Sequence, residues 1–236
     1  MALKMEEISV GYYEDIIVLS DFTMYAKGGE ITTIIGPNGA GKSTVLKTIY
    51  GFLRPNKGRV LLNNRDITTI PPYKMPQEGV AFIMQERGIF PEMSVEENLQ
   101  LGCWLFKGDR EKVMLAIDNV YNRYPILKDR KEVYAGNLSG GEQRILELGK
   151  ALLINPSVML LDEPTAGLAP IAANLIFDEI SRLKEEKKTI LMVEQNVKKA
   201  MNITDYVYVV ELGRVNFHAE REQIDLHKAI TPWVNW

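Results

Sequence analysis

The stretch Ile31-Thr-Thr-Ile-Ile-Gly-Pro-Asn-Gly-Ala-Gly-Lys-Ser-Thr44 decides the fold. Its first five residues are a continuous β-branched run, set between Gly29 and Gly36, as expected of a strand buried on both faces. From Lys42 to Tyr50 the spacing of Val45, Leu46 and Ile49 is helical, and Gly51 supplies a stop. Between strand and helix stand Gly36, Pro37, Asn38, Gly39, Ala40, Gly41, Lys42, Ser43 and Thr44, a complete G-x-x-x-x-G-K-[ST]. Glycines let backbone N–H groups converge on phosphate oxygens, and the helix N-terminus adds its dipole. Lys42 then reaches the outer phosphates, and the Ser43 hydroxyl can ligate Mg²⁺. A glycine-rich turn alone would need neither the lysine nor the hydroxyl.

Upstream, Leu3 to Val10 alternates and Val18 to Tyr25 does so loosely, which predicts two strands before the loop. Downstream, Arg59 to Leu62 is a short strand turned by Asn63 and Asn64. A loop is expected around Pro71, Pro72 and Pro76, followed by a strand over Gly79 to Met84. Ser94 to Glu97 is an S-x-x-E capping box, after which the pattern is mostly helical to about Arg130, with Val113, Ile117 and Val120 on one face. Ser139 to Glu142 is a second capping box and opens a helix through Ala151 and Leu153. Strands at Val158 to Leu161, Thr189 to Val193, Tyr206 to Val210 and Arg214 to Phe217 alternate with helices at Pro170 to Glu186 and Val197 to Met201. Such alternation argues for an α/β fold with a mainly parallel sheet covered on both faces.

Val158-Met-Leu-Leu-Asp-Glu163 ends a buried strand on two carboxylates, at the carboxyl edge where doubly wound sheets bind ligands. Joined to the glycine-rich loop, it reads as a Walker B segment. Asp162 would hold the Mg²⁺ shell, and Glu163 would orient and deprotonate the attacking water.

Bulk properties are consistent with one large domain. The 236 residues are 46% hydrophobic and 25% charged, close to the average for globular proteins. The 28 Lys and Arg against 31 Asp and Glu leave a net charge of -3, so no global positive field exists to hold a nucleic-acid backbone or an anionic bilayer. No apolar run approaches the roughly 20 residues that span a bilayer. Glu6 and Glu7 fall where a secretory peptide would be apolar, so a cytoplasmic protein is expected. The single cysteine, Cys103, can form neither an intramolecular disulfide nor a cysteine cluster and is expected to be a small buried hydrophobe.

The third constellation is Leu138-Ser-Gly-Gly-Glu-Gln-Arg144, a capped helix start with two glycines in its first turn and hence a second row of N–H donors. LSGGEQ, following GPNGAGKST and preceding MLLDEP, resembles the ATP-binding-cassette (ABC) ATPases over nearly the whole chain. The resemblance implies a P-loop NTPase core, a small antiparallel N-terminal β subdomain and an inserted helical subdomain. On that reading the chain is a single domain, with residues 1–93 and 146–236 forming core and β subdomain and 94–145 the helical subdomain. It further implies ATP and Mg²⁺ as ligands and head-to-tail pairing with a second ABC ATPase subunit, identical or sister. Ser139, Gly140 and Gly141 would then touch the γ-phosphate held by the partner. Gln85 matches the family's glutamine loop, which senses Mg²⁺ and the attacking water. Tyr12 sits where the family stacks an aromatic ring on adenine, with adjacent Tyr13 as the alternative.

Two departures narrow the subfamily. Ala169 stands where the loop after Walker B usually carries an aspartate, and Glu194-Gln195-Asn196 follows the strand that usually leads to a switch histidine. GLAP and VEQN look like the ATPases of branched-chain amino-acid importers and their relatives for urea or short amides. Gln195 would take the histidine's place among the catalytic residues and cannot titrate near neutrality. Gln85 stands where that subfamily more usually has a Pro-Glu pair, and the tail carries Trp233 and Trp236, whose default role is to cover a hydrophobic edge.

Transport would require separate transmembrane permease subunits at the cytoplasmic face and, indirectly, a substrate-binding protein; no nucleic acid is expected. Phe90, Pro91 and Met93 are the candidates for the permease groove. The alternative class, a soluble ABC ATPase serving cofactor assembly or nucleic-acid work, commonly carries two cassettes or long insertions, and this chain has neither. A regulatory module without turnover would not need Glu163.

Overall fold

The computed structural model describes residues 2–13, 16–86 and 88–224, apart from the side chain of Tyr13. Strands β1 (Leu3–Tyr13), β2 (Ile16–Ala26) and β3 (Ile31–Ile35) lead into helix α1 (Lys42–Ile49). After β4 (Lys57–Leu62), Asn63 and Asn64 both adopt positive φ and return the chain as the two-residue β5 (Arg65–Asp66). Asparagine tolerates this conformation better than most residues, which is why the pair makes the hairpin. The Asn-Asn turn was legible, but a two-residue strand has no periodicity to read.

The segment expected to loop around its prolines is a 3₁₀ helix instead, Pro72–Glu78. Proline fits its first turn, and buried Met75 anchors it. A tight i+3 bond from Gly79 N–H to Pro76 O closes it. Next come β6 (Val80–Ile83) and α2 (Val95–Gly102), which opens on the Ser94–Glu97 capping box with both reciprocal bonds made. The helical pattern to Arg130 is broken into pieces: α2, a 3₁₀ turn at Trp104–Phe106, α3 (Arg110–Arg123) and α4 (Pro125–Asp129). Asp109 caps α3 afresh, and Pro125, which cannot continue a helix, starts α4. Helix α5 (Gly140–Leu152), β7 (Val158–Asp162), α6 (Pro170–Glu185), β8 (Thr189–Val193), α7 (Val197–Ala200), β9 (Tyr206–Glu211) and β10 (Arg214–Glu220) complete the order.

Two sheets result. The smaller is β2-β1-β4-β5, antiparallel throughout; the larger is β10-β9-β3-β8-β7-β6, parallel except for the β9–β10 hairpin at its edge. Every residue of β3, β7 and β8 is buried. Alternate side chains therefore serve two cores: Met159, Leu161, Ile190 and Met192 pack toward the helices that follow β6, whereas Val158, Leu160, Leu191 and Val193 pack toward α1 and the small sheet. Cys103 is buried in the first core, and burial raises its thiol pKa, in keeping with a packing role. Among the described residues no helix is long and apolar enough to cross a membrane.

The β9–β10 turn also ties down the glycine-rich loop that follows β3. Leu212 and Gly213 both have positive φ, as a two-residue hairpin of this hand requires. Gly213 N–H donates to Ala40 O at 3.0 Å, and Gly213 O accepts from Ser20 N–H at 3.1 Å, so one residue ties the loop to β2. A Cβ at Gly213 would lie 1.8 Å from Val18 O. Gly213→Ala should therefore destabilise the fold by about 1–3 kcal/mol, the usual cost of a strained backbone position. Denaturant unfolding would measure it; an unchanged midpoint would refute the role given to this turn.

Candidate active site

The loop Gly36–Gly41 leaves the carboxyl end of β3 and enters α1, whose N-cap is Gly41 with no side-chain cap and no acidic residue in the first turn. The first N–H groups are thus left for an anion. Gly36 passes under the edge of the sheet, where a Cβ would come within 2.1 Å of Val210 O. Lys42 is buried at the helix start and donates to Gly36 O at 2.9 Å and Pro37 O at 2.8 Å. Burial lowers its pKa, and the charges of Glu163 and Asp162 oppose that shift.

The strand order brings β7 two places from β3, and its last residue, Asp162, faces the loop. Ser43 Oγ donates to Asp162 Oδ1 at 3.0 Å. Asp162 is 3% exposed, and burial pushes its carboxyl above the ordinary range, with Glu163 adding to the rise and the Ser43 hydroxyl, Lys47 and Lys42 pulling it down. A hydroxyl and a carboxylate are hard oxygen donors and suit Mg²⁺, which takes few protein ligands and completes its shell with phosphate and water. Among the described residues no group of three or more His, Cys, Asp or Glu is placed to hold a metal ion.

Glu163 follows at 6% exposure with φ of 48°, an unusual conformation for a residue with a side chain. Its N–H donates to Val193 O at 2.9 Å. Both carboxylate oxygens are held by amides: Gln195 Nε2 donates to Oε1 at 2.7 Å and Gln85 Nε2 to Oε2 at 2.9 Å. Three segments far apart in sequence thus meet on one carboxylate. A fixed carboxylate beside a glycine-rich loop and a hydroxyl–carboxylate pair of the kind that suits Mg²⁺ is an arrangement that could activate water for attack on a phosphoryl group.

Tyr12 stands at the end of β1, 49% exposed, with Lys47 Nζ 5.7 Å from its ring centroid, so a flat face is available near α1. The side chain of Tyr13 lies outside the described residues, as do Trp233, Trp236 and His227. Ser139, Gly140 and Gly141 form the start of α5, where Ser139 Oγ accepts from Glu142 N–H and Glu142 Oε2 accepts from Ser139 N–H. They border an apolar groove shared with Ile126, Leu168, Ile171 and Leu175. Ala169 is the N-cap of α6 and supplies no capping side chain.

Sequence reasoning missed Arg144, Glu147 and Lys150. They lie three residues apart on the inner side of α5, and Arg144 and Glu147 form a buried ion pair at 2.6 Å. Arg144 also donates to Met84 O, Glu147 accepts from Gly88 N–H, and Lys150 donates to Gly88 O. The helix that carries LSGGEQ therefore grips both flanks of Gln85. Charges at i, i+3 and i+6 among buried leucines were the available sign. Phe90 is exposed, with Lys150 Nζ 5.0 Å from its ring, and Pro91 O accepts from Gly136 N–H. A groove beside the Gln85 segment is lined by Tyr50, Phe82, Met84, Trp104 and Lys150, and Phe90, Pro91 and Met93 are not among its lining residues.

The family model described as "ABC transporter" matches residues 19–166. The chain is 39% identical to the "Probable branched-chain amino acid transport ATP-binding protein LivF" of Archaeoglobus fulgidus, covering 96% of this chain and 95% of that protein. It is also 39% identical to the "High-affinity branched-chain amino acid transport ATP-binding protein BraG" of Pseudomonas aeruginosa, over 92% of this chain and 91% of that one. A solved ATP-binding cassette of an ABC transporter in its ADP conformation superposes with a TM-score of 0.87 at 31% identity, covering 100% of this chain and 99% of that chain. The glycine-rich loop, the paired carboxylates and the matched length agree: this chain belongs to the ABC transporter family.

Proposed function

We propose that this protein is the ATP-hydrolysing subunit of an ABC importer for branched-chain amino acids, energising separate transmembrane subunits. The observation that carries the reading is the meeting of Gln85, Glu163 and Gln195 beside the Ser43–Asp162 pair, in a chain whose named relatives are branched-chain amino-acid transport ATP-binding proteins. Residues 94–145 act as the helical subdomain and 1–93 with 146–236 as the remainder; the 145/146 boundary falls within α5, so the signature moves with the end of that helix.

In this mechanism the N–H groups of Gly36 to Thr44 and the Lys42 ammonium bind the phosphates of ATP. Ser43, Asp162 and Gln85 would hold Mg²⁺, which would supply neutralisation of phosphate charge there. Glu163 takes a proton from the attacking water as its oxygen bonds to the γ-phosphorus and the bond to the β-phosphate oxygen breaks, leaving ADP and phosphate. Gln85 and Gln195 keep the Glu163 carboxylate aimed, and Tyr12 stacks on adenine. Ser139, Gly140 and Gly141 serve the site of a second ATPase subunit, identical or sister. The permease seats in the groove of Tyr50, Phe82 and Trp104 at the cytoplasmic face, and a substrate-binding protein acts through it. Co-purification of the permease subunits, followed by uptake of branched-chain amino acids into vesicles, tests the assignment; ATP hydrolysis indifferent to these substrates in the assembled transporter would count against it.

Glu163→Gln should bind ATP with nearly unchanged affinity and lose at least about a hundredfold in turnover. Residual ATPase above roughly a tenth of the wild-type rate would remove Glu163 from its role. In that background ATP should drive dimerisation, and Ser139→Arg, by placing a cation among the donors at the start of α5, should block the dimer while each monomer still binds nucleotide. Light scattering with and without ATP decides; equal dimer fractions would contradict the composite site.

The one histidine among the described residues, His218, stacks on Tyr208 at 5.2 Å and bonds to Tyr206 on β9. The ATPase pH profile should therefore show no inflection near the histidine value of about 6.5. Gln195→His should introduce one, and Gln195→Ala should slow hydrolysis at saturating ATP. An inflection near that pH in the wild type would show that an imidazole governs the rate.

A further inference from the structure

A buried carboxyl that the reaction above does not use stands next to Gln195. Glu194 is 3% exposed, and its Oε1 accepts a hydrogen bond from the hydroxyl of Thr165, itself buried in the loop after β7. Its other oxygen, Oε2, is buried without a hydrogen-bond partner. Such an arrangement is costly, because a desolvated carboxyl oxygen lacks the bonds that water gave it. Burial raises the Glu194 carboxyl above its ordinary range, the Thr165 hydroxyl opposes that rise, the neighbouring Glu163 adds to it, and the main chain at Asn196 and Thr165 pulls it back. An apolar pair of similar shape would fill the space without either penalty.

The geometry shows what the contact accomplishes. The last ladder pairing of β7 with β8 is Asp162 with Val193, and beyond it the two chains part. Of residues 194–196 only Glu194 is buried; Gln195 and Asn196 are exposed, and α7 beyond them has four residues. On the other side Ala166 and Gly167 are exposed as well. A cavity opens between the two loops, lined by Glu163, Thr165, Leu168, Glu194, Gln195 and Lys199. The Thr165–Glu194 bond is thus the pin that closes the loops onto one another past the end of the sheet. Gln195 must reach across this gap to Glu163, which itself holds an unusual φ that only its surroundings can enforce.

We propose that Glu194 is a positioning residue for ATP hydrolysis, holding the loop after β7 through Thr165 so that Gln195 stays aimed at Glu163. The inference rests on the ATPase reading above and extends it to a residue that touches neither nucleotide nor reacting water.

Steady-state kinetics of Glu194→Ala, Glu194→Gln, Thr165→Val and Thr165→Ser test it, with ATP affinity and thermal midpoint measured on the same samples. Glu194→Ala and Thr165→Val should lower kcat by about tenfold to a hundredfold, the scale of small misplacements in an active site, with ATP affinity within about twofold. Glu194→Gln should recover most of kcat, because its carbonyl oxygen accepts from Thr165. Gln195→Ala should add little further loss in the Glu194→Ala background, since both act through one contact. The proposal is overturned by wild-type kcat in Glu194→Ala, by losses of kcat and ATP affinity in equal measure, or by full additivity with Gln195→Ala. If Glu194→Ala does not fold, equal kcat in Thr165→Val and Thr165→Ser overturns it. Should Glu163→Gln retain the wild-type rate, the ATPase assignment fails; should only the Glu194 and Thr165 variants behave as wild type, this inference alone fails.

Discussion

Two adjacent carboxylates end a strand that has no solvent on either face, and the desolvation of Asp162 and Glu163 is the constraint to which the rest of the site answers. Carboxylates buried side by side without partners would be costly. Each is instead met by groups brought from elsewhere: the Ser43 hydroxyl reaches Asp162, and the amides of Gln85 and Gln195 and a backbone carbonyl of β8 fix Glu163. Neutral donors hold both carboxylates in place.

The same economy of contacts links distant parts of the molecule. Helix α5 begins at the glycines of the signature and, through the Arg144–Glu147 pair and Lys150, holds the main chain at Met84 and Gly88 on either side of Gln85. Gln85 in turn holds Glu163. The start of α5 and the Glu163 carboxylate are therefore joined by one continuous set of contacts through the Gln85 segment. Because the Arg144–Glu147 pair is buried, breaking it would strand a charge.

Most of the fold was legible because its strands and helices carry unambiguous periods and caps. Ile31–Ile35 and Thr189–Val193 have the predicted limits, and both capping boxes at Ser94 and Ser139 make their reciprocal bonds. The readings that differed lie where local pattern competes with context. Prolines 72 and 76 announce a break, yet i+3 bonds tolerate them and buried Met75 makes a short 3₁₀ helix worthwhile. The run to Arg130 has one hydrophobic period but contains Asp109 and Pro125, each able to restart a helix. In the site, residues held by the phosphate loop and strand ends could be read from spacing. Arg144, Glu194 and Gly213 could not, because their importance lies in partners 60, 29 and 173 residues away.

Lys42 has one more consequence. Its ammonium is satisfied internally by Gly36 O and Pro37 O, and its burial makes a free charge there unfavourable. Two of the ammonium's three donors are thus spent on the loop's own carbonyls, and the buried side chain is held across the start of α1. An anion drawn to that charge competes with peptide carbonyls already in place, so the loop is closed on itself by its own lysine.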